Sequence, residues 1–221
     1  MKEGLFDNKG FEGEEFRPLI PKYYTLKYKN YIKEETNLLK KKLIGTNRVL
    51  EAGVGIGRLI PEIAPIVKEF VGIDNSGFMI KKSKETGSRF SNVSIIKGNL
   101  EDVSSKFPPK YFDFSLLLWN TLGNVKDEVL VLKEVSKVTK ESIIITVHQK
   151  GKVEERKKWY KAVGIKILKI DEKNETFYFE GEVKSKSYSL EEIRKLAKRS
   201  NLQVKDSRVL GDVVLFVELS K

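Results

Sequence analysis

Three glycines alternate at Gly53, Gly55 and Gly57, directly after a short apolar stretch, Val49-Leu50, and a carboxylate, Glu51. A second apolar stretch, Phe70-Val-Gly-Ile, ends in Asp74. Glycine has no Cβ and tolerates positive φ, so a loop of this kind lets a ligand lie against the backbone and aims N–H groups at it. An acidic residue at the end of the next strand, about twenty positions on, is placed to take both hydroxyls of a ribose. These residue types in this order describe a pocket for a nucleotide-type cofactor.

The details separate two candidates. The dinucleotide fingerprint needs Gly-x-Gly-x-x-Gly, and Arg58 stands where its third glycine belongs. Glu51 would repel a pyrophosphate, whereas a cofactor with a positive amino group and a sulfonium would welcome it. The glycine spacing, taken with Glu51, favours S-adenosylmethionine over NAD and makes a dehydrogenase the remote reading.

Such a loop needs a strand before it and a helix after it. Apolar runs predict strands over 48–53, 69–74, 93–98, 111–119 and 142–148, alternating with helices near 58–65, 76–87 and 126–139. The run Phe114-Ser-Leu-Leu-Leu-Trp is nearly continuous in apolar residues, as a strand buried on both faces should be. The alternation argues an α/β fold with a parallel sheet and right-handed crossovers. After Lys150 the pattern changes to a helix over 152–163, strands over 165–171 and 176–188 and a helix over 189–199. Ser189, with Glu192 three residues on, is expected to cap that last helix. Strands over 204–209 and 213–219 close the chain, and the strand pair within 165–188 reads as an insertion. Residues 1–27, rich in aromatics (Phe6, Phe11, Phe16, Tyr23, Tyr24) and carrying Pro18 and Pro21, read as an irregular arm leading to an amphipathic helix over 27–43.

Glu51-x-Gly53-x-Gly55-x-Gly57 and Val71-Gly-Ile-Asp74-Asn-Ser-Gly-Phe-Met79 resemble the first two motifs of class I S-adenosylmethionine-dependent methyltransferases. Ile96-Lys-Gly-Asn-Leu-Glu-Asp102, Tyr111 to Asn120, and Tyr188-Ser-Leu-Glu-Glu-Ile193 continue the resemblance in order, from about Thr46 to the C-terminus. It implies a doubly wound Rossmann-like fold, with a mainly parallel seven-stranded sheet and an antiparallel final strand, to which the inserted strand pair and the N-terminal arm are added. The domain layout would be an arm and helix over 1–45 and a cofactor-binding domain over 46–221, with the insertion at about 165–188.

The resemblance also implies site roles. Gly53 and Gly55, with Gly57, would lie along the methionine part of S-adenosylmethionine and Glu51 would organise its amino end. Asp74 would bind the ribose, with Asn75 and Met79 in the same motif, and Asn99 and Leu100 would meet the adenine. The family often has Asp where Asn99 stands. Tyr24 falls where the family often lids the cofactor. Catalytic candidates are Asn120, in the strand-end turn Trp119-Asn-Thr-Leu-Gly-Asn124, then His148 as a base at the end of the fifth strand, and Tyr188 beside the insertion. Each has a structural alternative: a loop cap, a packed polar residue and a core aromatic.

The turn lacks the Asn-Pro-Pro-Tyr of many amino-group methyltransferases and resembles small-molecule N- and O-methyltransferases of the glycine/sarcosine kind. The expectation is therefore an enzyme that methylates a small molecule and releases S-adenosylhomocysteine. Methylation of RNA or protein is the alternative, and a non-catalytic S-adenosylmethionine-binding partner protein is the third reading.

Composition bounds these readings. The 221 residues contain no cysteine and one histidine, which excludes disulfides, thiolate metal sites and a cysteine nucleophile. No metal is expected. The net charge of +11 is uneven, and residues 150–221 hold 18 basic and 12 acidic side chains. That excess is either a Lys/Glu-rich solvated surface or a patch for nucleic acid. No apolar run reaches membrane-span length and the N-terminus lacks a signal-peptide core, so a cytoplasmic location without membrane partners is the expectation.

Overall fold

The structure is a computed structural model that describes residues 21–221; the expected arm residues Phe6, Phe11, Phe16 and Pro18 lie outside the described residues. Helix α1 (Leu26–Leu43) leads into strand β1 (Arg48–Ala52), short helix α2 (Ile60–Ile63), β2 (Glu69–Asp74), α3 (Gly77–Gly87) and β3 (Val93–Lys97). Then come β4 (Phe112–Leu117), the single turn α4 (Thr121–Asn124), α5 (Glu128–Val138) and β5 (Thr139–His148). The chain continues through α6 (Val153–Ala162), β6 (Lys169–Asp171), β7 (Thr176–Tyr178), β8 (Lys184–Lys186), α7 (Leu190–Arg199), β9 (Gln203–Leu210) and β10 (Val214–Ser220).

Seven strands form one sheet in the order β3-β2-β1-β4-β5-β10-β9. The β1–β2, β2–β3, β1–β4 and β4–β5 pairs are parallel, and β10 runs antiparallel to both neighbours. This is the expected Rossmann-like sheet. Successive residues of its strands serve opposite faces. Val49, Phe70, Leu116, Ile144 and Phe216 join a core with α1, α2 and α6. Leu50, Val71, Leu117, Ile145 and Val217 join a second core with α5 and α7. A sheet covered on both faces explains why its strands read as continuous apolar runs.

Two expectations change in detail. The helix predicted over 58–65 is confined to α2 and followed by a 3-10 turn, Ala64–Ile66. Pro65 removes an N–H and crowds the preceding turn, which stops the α-helix there. The insertion forms its own sheet, in the order β6-β7-β8. The second predicted strand splits into β7 and β8 because Gly181 takes φ +74° and makes a turn between them. The capping box on α7 is present: Ser189 Oγ accepts from Glu192 N and Glu192 accepts from Ser189 N.

Candidate active site

Leaving β1, the chain builds one side of the sheet with β2 and β3 and returns to the other side as β4. The carboxyl ends of β1 and β4 therefore flank the topological switch point, where ligands of such sheets bind. The glycine loop follows β1 there. Gly53 has φ +84°, and a Cβ on it would lie 2.7 Å from the Thr121 side chain, so the loop meets the turn after β4 only because this residue is glycine. Gly55 has φ +54° with open space around its missing Cβ, and its N–H donates to Asp74 Oδ2 at 2.9 Å. Gly57 packs on Ile60 and Ser83 and ties the loop to α3.

Asp74 accepts a second bond on Oδ1 from Ser76 N at 3.0 Å. Ser76 Oγ caps α3 by accepting from Met79 N, and Met79 is buried. Asn75 is exposed at that corner. At the end of β3 an exposed Asn99 stands in extended conformation before Leu100, which is buried in the second core. The structure thus brings Glu51, the glycines, Asp74, Asn75 and Asn99 to the carboxyl ends of three adjacent strands.

Glu51 is buried, and its Oε2 has no hydrogen-bond partner. Burial pushes its carboxyl up to about 8, against the lowering effect of the nearby Arg58 charge. Arg58 itself pairs with Glu35, a fully buried carboxylate on α1. Glu35 also accepts from the Tyr31 hydroxyl (2.6 Å) and from Thr146 Oγ1 (2.8 Å). An orphaned carboxylate oxygen beside an open glycine loop fits a cofactor with a cationic amino group and a ribose, since it leaves an acceptor for the first and Asp74 for the second.

The other half of the crevice is built at the end of β4. Trp119 and Asn120 both take left-handed backbone, φ +52° and +64°, a costly conformation for a large side chain. Their surroundings enforce it. Trp119 N donates to Thr146 Oγ1 (2.9 Å) and Asn120 N to the Thr146 carbonyl (2.8 Å). The Asn120 amide donates to Ser185 Oγ (2.8 Å) and accepts from His148 N (3.1 Å). The Trp119 ring stacks against Tyr24 (5.3 Å) and Tyr31 (5.2 Å). Tyr24 is buried, and burial holds its phenol well above the usual range.

His148 is buried against Tyr28, whose hydroxyl lies 3.2 Å from Nδ1, and Tyr28 stacks on Trp159 at 4.9 Å. Burial, and then the positive charge of Arg156, hold the imidazole well below its usual pKa, so it is neutral at neutral pH. Tyr188 is backbone-paired to His148, with Tyr188 N donating to the His148 carbonyl at 2.8 Å. Its ring nevertheless belongs to the second core, and its hydroxyl donates to the Leu122 carbonyl (3.2 Å) and Glu128 (3.1 Å). His148 and Asn120 are together; the Tyr188 side chain lies on the opposite face of the sheet.

Sequence reasoning passed over Glu35, Trp119, Trp159 and Arg156 as candidates. A signal existed for Glu35: it shares a helical stripe with Tyr28, Tyr31, Leu39 and Leu43, all buried. Arg156 likewise shares the buried face of α6 with Trp159 and Tyr160. A charge on the apolar stripe of a helix is the pattern to look for.

The model of a methyltransferase domain matches residues 45–204. No curated protein matches the chain. Among solved structures, the PH0226 protein from Pyrococcus horikoshii OT3 is 24% identical, with a TM-score of 0.72 over 94% of this chain and 99% of that one. A SAM-dependent methyltransferase from Aquifex aeolicus is 17% identical, with a TM-score of 0.66 over 94% and 98%. The 1,6-didemethyltoxoflavin-N1-methyltransferase of Burkholderia thailandensis, solved with 1,6-didemethyltoxoflavin and S-adenosylhomocysteine bound, is 13% identical, with a TM-score of 0.67 over 86% and 78%. At these identities the structural likenesses show a shared fold. Among the described residues no helix is long and apolar enough to cross a membrane.

Proposed function

The chain belongs to the methyltransferase-domain family, and from that premise we propose that it transfers a methyl group from S-adenosylmethionine to a nitrogen or oxygen nucleophile of a small molecule. The observation that carries the cofactor reading is the buried, unpartnered oxygen of Glu51 beside the open glycine loop. Glu51 would hold the amino end, the backbone of 53–57 the methionine part, and Asp74 the ribose, with Asn75 beside it. Met79 backs the Asp74 corner, Asn99 and Leu100 would meet the adenine, and Tyr24 with Trp119 would close the near side. The cofactor-binding unit is 46–221 with its insertion at about 165–188, and the arm and helix of 1–45 are an addition to it.

S-Adenosylmethionine, when bound, supplies an electrophilic methyl group whose leaving group is a neutral thioether. The protein's own task is therefore alignment, and removal of a proton where the nucleophile arrives protonated. His148 serves as that base in the tautomer whose Nδ1–H is donated to Tyr28, which leaves Nε2 to accept. Asn120 is a positioning residue that ties the β4 end to β5 and to the inserted sheet. Tyr188 supports the same turn from beneath through Leu122.

A small acceptor is favoured because the ends of β4 and β5 are covered by α1, α6 and the inserted sheet, with Tyr24, Tyr28 and Trp159 buried among them. Such a covered aromatic edge suits a small flat molecule. The basic excess of 150–221 favours RNA as the second reading. Incubating the protein with tritiated-methyl S-adenosylmethionine and a fractionated lysate tests both. Label in low-mass metabolites is expected; label confined to RNA or protein would overturn the small-molecule reading.

A further inference from the structure

Arg156 carries a full positive charge into the interior with nothing of opposite sign beside it. It projects from α6 and is fully buried. Nη1 donates to Ser187 Oγ (2.7 Å) and the Glu175 carbonyl (3.2 Å). Nη2 donates to the Tyr160 hydroxyl (2.8 Å) and to the hydroxyl (2.9 Å) and carbonyl (3.0 Å) of Ser185. The guanidinium lies over the Phe177 ring at 4.2 Å. All these acceptors are neutral, and among the described residues no carboxylate lies within the 4.0 Å of an ion pair. A guanidinium does not shed its proton, and a buried ion without a counter-charge is strongly penalised.

Two donors on this helix face are also left without acceptors: Arg156 Nε and, three residues on, Trp159 Nε1. Residues three apart on a helix are neighbours. Both residues border the methyl-transfer edge. Ser185 Oγ, which holds Arg156, also accepts from Asn120 at the end of β4. The field of Arg156 is felt at His148 and at Tyr28. A buried cation, with an orphan donor of its own and a second on the same helix face, is the set of groups that an anion with two acceptor oxygens would satisfy.

We infer that Arg156, with Trp159, recognises a carboxylate on the methyl acceptor, so that the substrate is a small carboxylic acid methylated at another position. The inference rests on the methyl-transfer reading and names its substrate class. Carboxylate geometry supplies two oxygens to two donors. The surrounding rings of Tyr160 and Phe177 exclude water and strengthen the attraction.

Calorimetric titration of the full chain, with and without S-adenosylhomocysteine, decides the matter. The probes are benzoate, salicylate, glycine and malonate, each against its amide, with inorganic phosphate as a further arm. At least one acid should bind about tenfold or more tightly than its amide, and Arg156→Gln should abolish the preference while leaving S-adenosylhomocysteine affinity unchanged. Acids and amides binding alike, in protein that binds S-adenosylhomocysteine, overturn the inference and leave the methyltransferase reading standing. Binding of phosphate but of no acid overturns the carboxylate class. Protein that prefers acids but never binds S-adenosylhomocysteine overturns the cofactor reading instead. Should Arg156→Gln fail to fold, the acid-against-amide comparison in the wild-type protein decides by itself.

Discussion

Arg58 and Arg156 each draw a guanidinium out of water, and the two halves of the crevice treat that charge in opposite ways. On the cofactor side Arg58 meets Glu35, which is held in turn by Tyr31 and Thr146. On the acceptor side Arg156 meets only hydroxyls, carbonyls and ring faces. The first charge is closed within the chain, while the buried carboxyl of Glu51, with an oxygen that has no hydrogen-bond partner, stands beside it. The second charge is left open. One half of the site thus leaves a carboxyl oxygen open and the other a guanidinium, the two groups that the proposed cationic donor and acidic acceptor would pair with.

The largest expected effect tests the closed pair. Glu35→Ala strands Arg58 and leaves the Tyr31 hydroxyl without its carboxylate, and should cost about 3–5 kcal/mol of stability. Arg156→Met removes an ion that had no counter-charge and should cost less. Urea unfolding of both variants measures the difference, and a larger loss for Arg156→Met would erase the distinction between the two arginines.

Next comes the base. His148→Gln keeps a polar side chain beside Tyr28 and should lower kcat about 100-fold, close to 3 kcal/mol in the barrier. Because burial and Arg156 hold the imidazole well below its usual range, the wild-type kcat at saturating S-adenosylmethionine should be flat above pH 6.5 and fall only on the acid side. A variant with an unaltered pH–rate profile would leave His148 a packing role.

Asp74→Ala tests the ribose assignment. It should weaken S-adenosylhomocysteine binding by about 1–3 kcal/mol through lost hydrogen bonds to a charged group. Asp74 also receives the Gly55 and Ser76 N–H groups, so Asp74→Asn, which keeps one acceptor oxygen, should retain part of the affinity. Equal calorimetric affinity for wild type and Asp74→Ala would sink the assignment.

The same contrast explains what the sequence made legible. The cofactor half is written in contiguous motifs: one loop carries Glu51, Gly53, Gly55 and Gly57, and the next strand end carries Asp74. Their chemistry is tied to spacing, and spacing is visible in a string. The acceptor half is assembled from segments far apart, with Tyr28 and His148 separated by 120 residues and Asn120 and Ser185 by 65. Neither the left-handed turn at Trp119-Asn120 nor the orphan donors of α6 have a local signature. The sheet was readable because its inner strands, β1, β2, β4, β5 and β10, are buried over most of their length on both faces. The insertion was blurred because β6, β7 and β8 are three residues each and bury only part of their length, too short for periodicity to assert itself.

The effect that is gentlest per unit of pH is the most diagnostic of the Glu51 half. In the folded protein Glu51 titrates at about 8, against 4.5 for an ordinary glutamate. Between those values the folded state holds a proton that the unfolded state has released. Stability of the ligand-free protein should therefore fall as pH rises through this window, by at most about 1.4 kcal/mol per unit. The titration of His148 acts in the opposite sense and below about 6.5, which leaves pH 7 to 8 to Glu51. Pairing with the amino group of the cofactor requires the carboxylate, so binding must expel that proton. Affinity for S-adenosylhomocysteine should then climb by up to about tenfold per pH unit from pH 6 to 8. In Glu51→Gln the slope should vanish, and the ligand-free variant should be more stable than wild type above pH 8. A wild-type affinity that stays level from pH 6 to 8 would mean that Glu51 does not meet a cation, and the orphaned oxygen would need another partner.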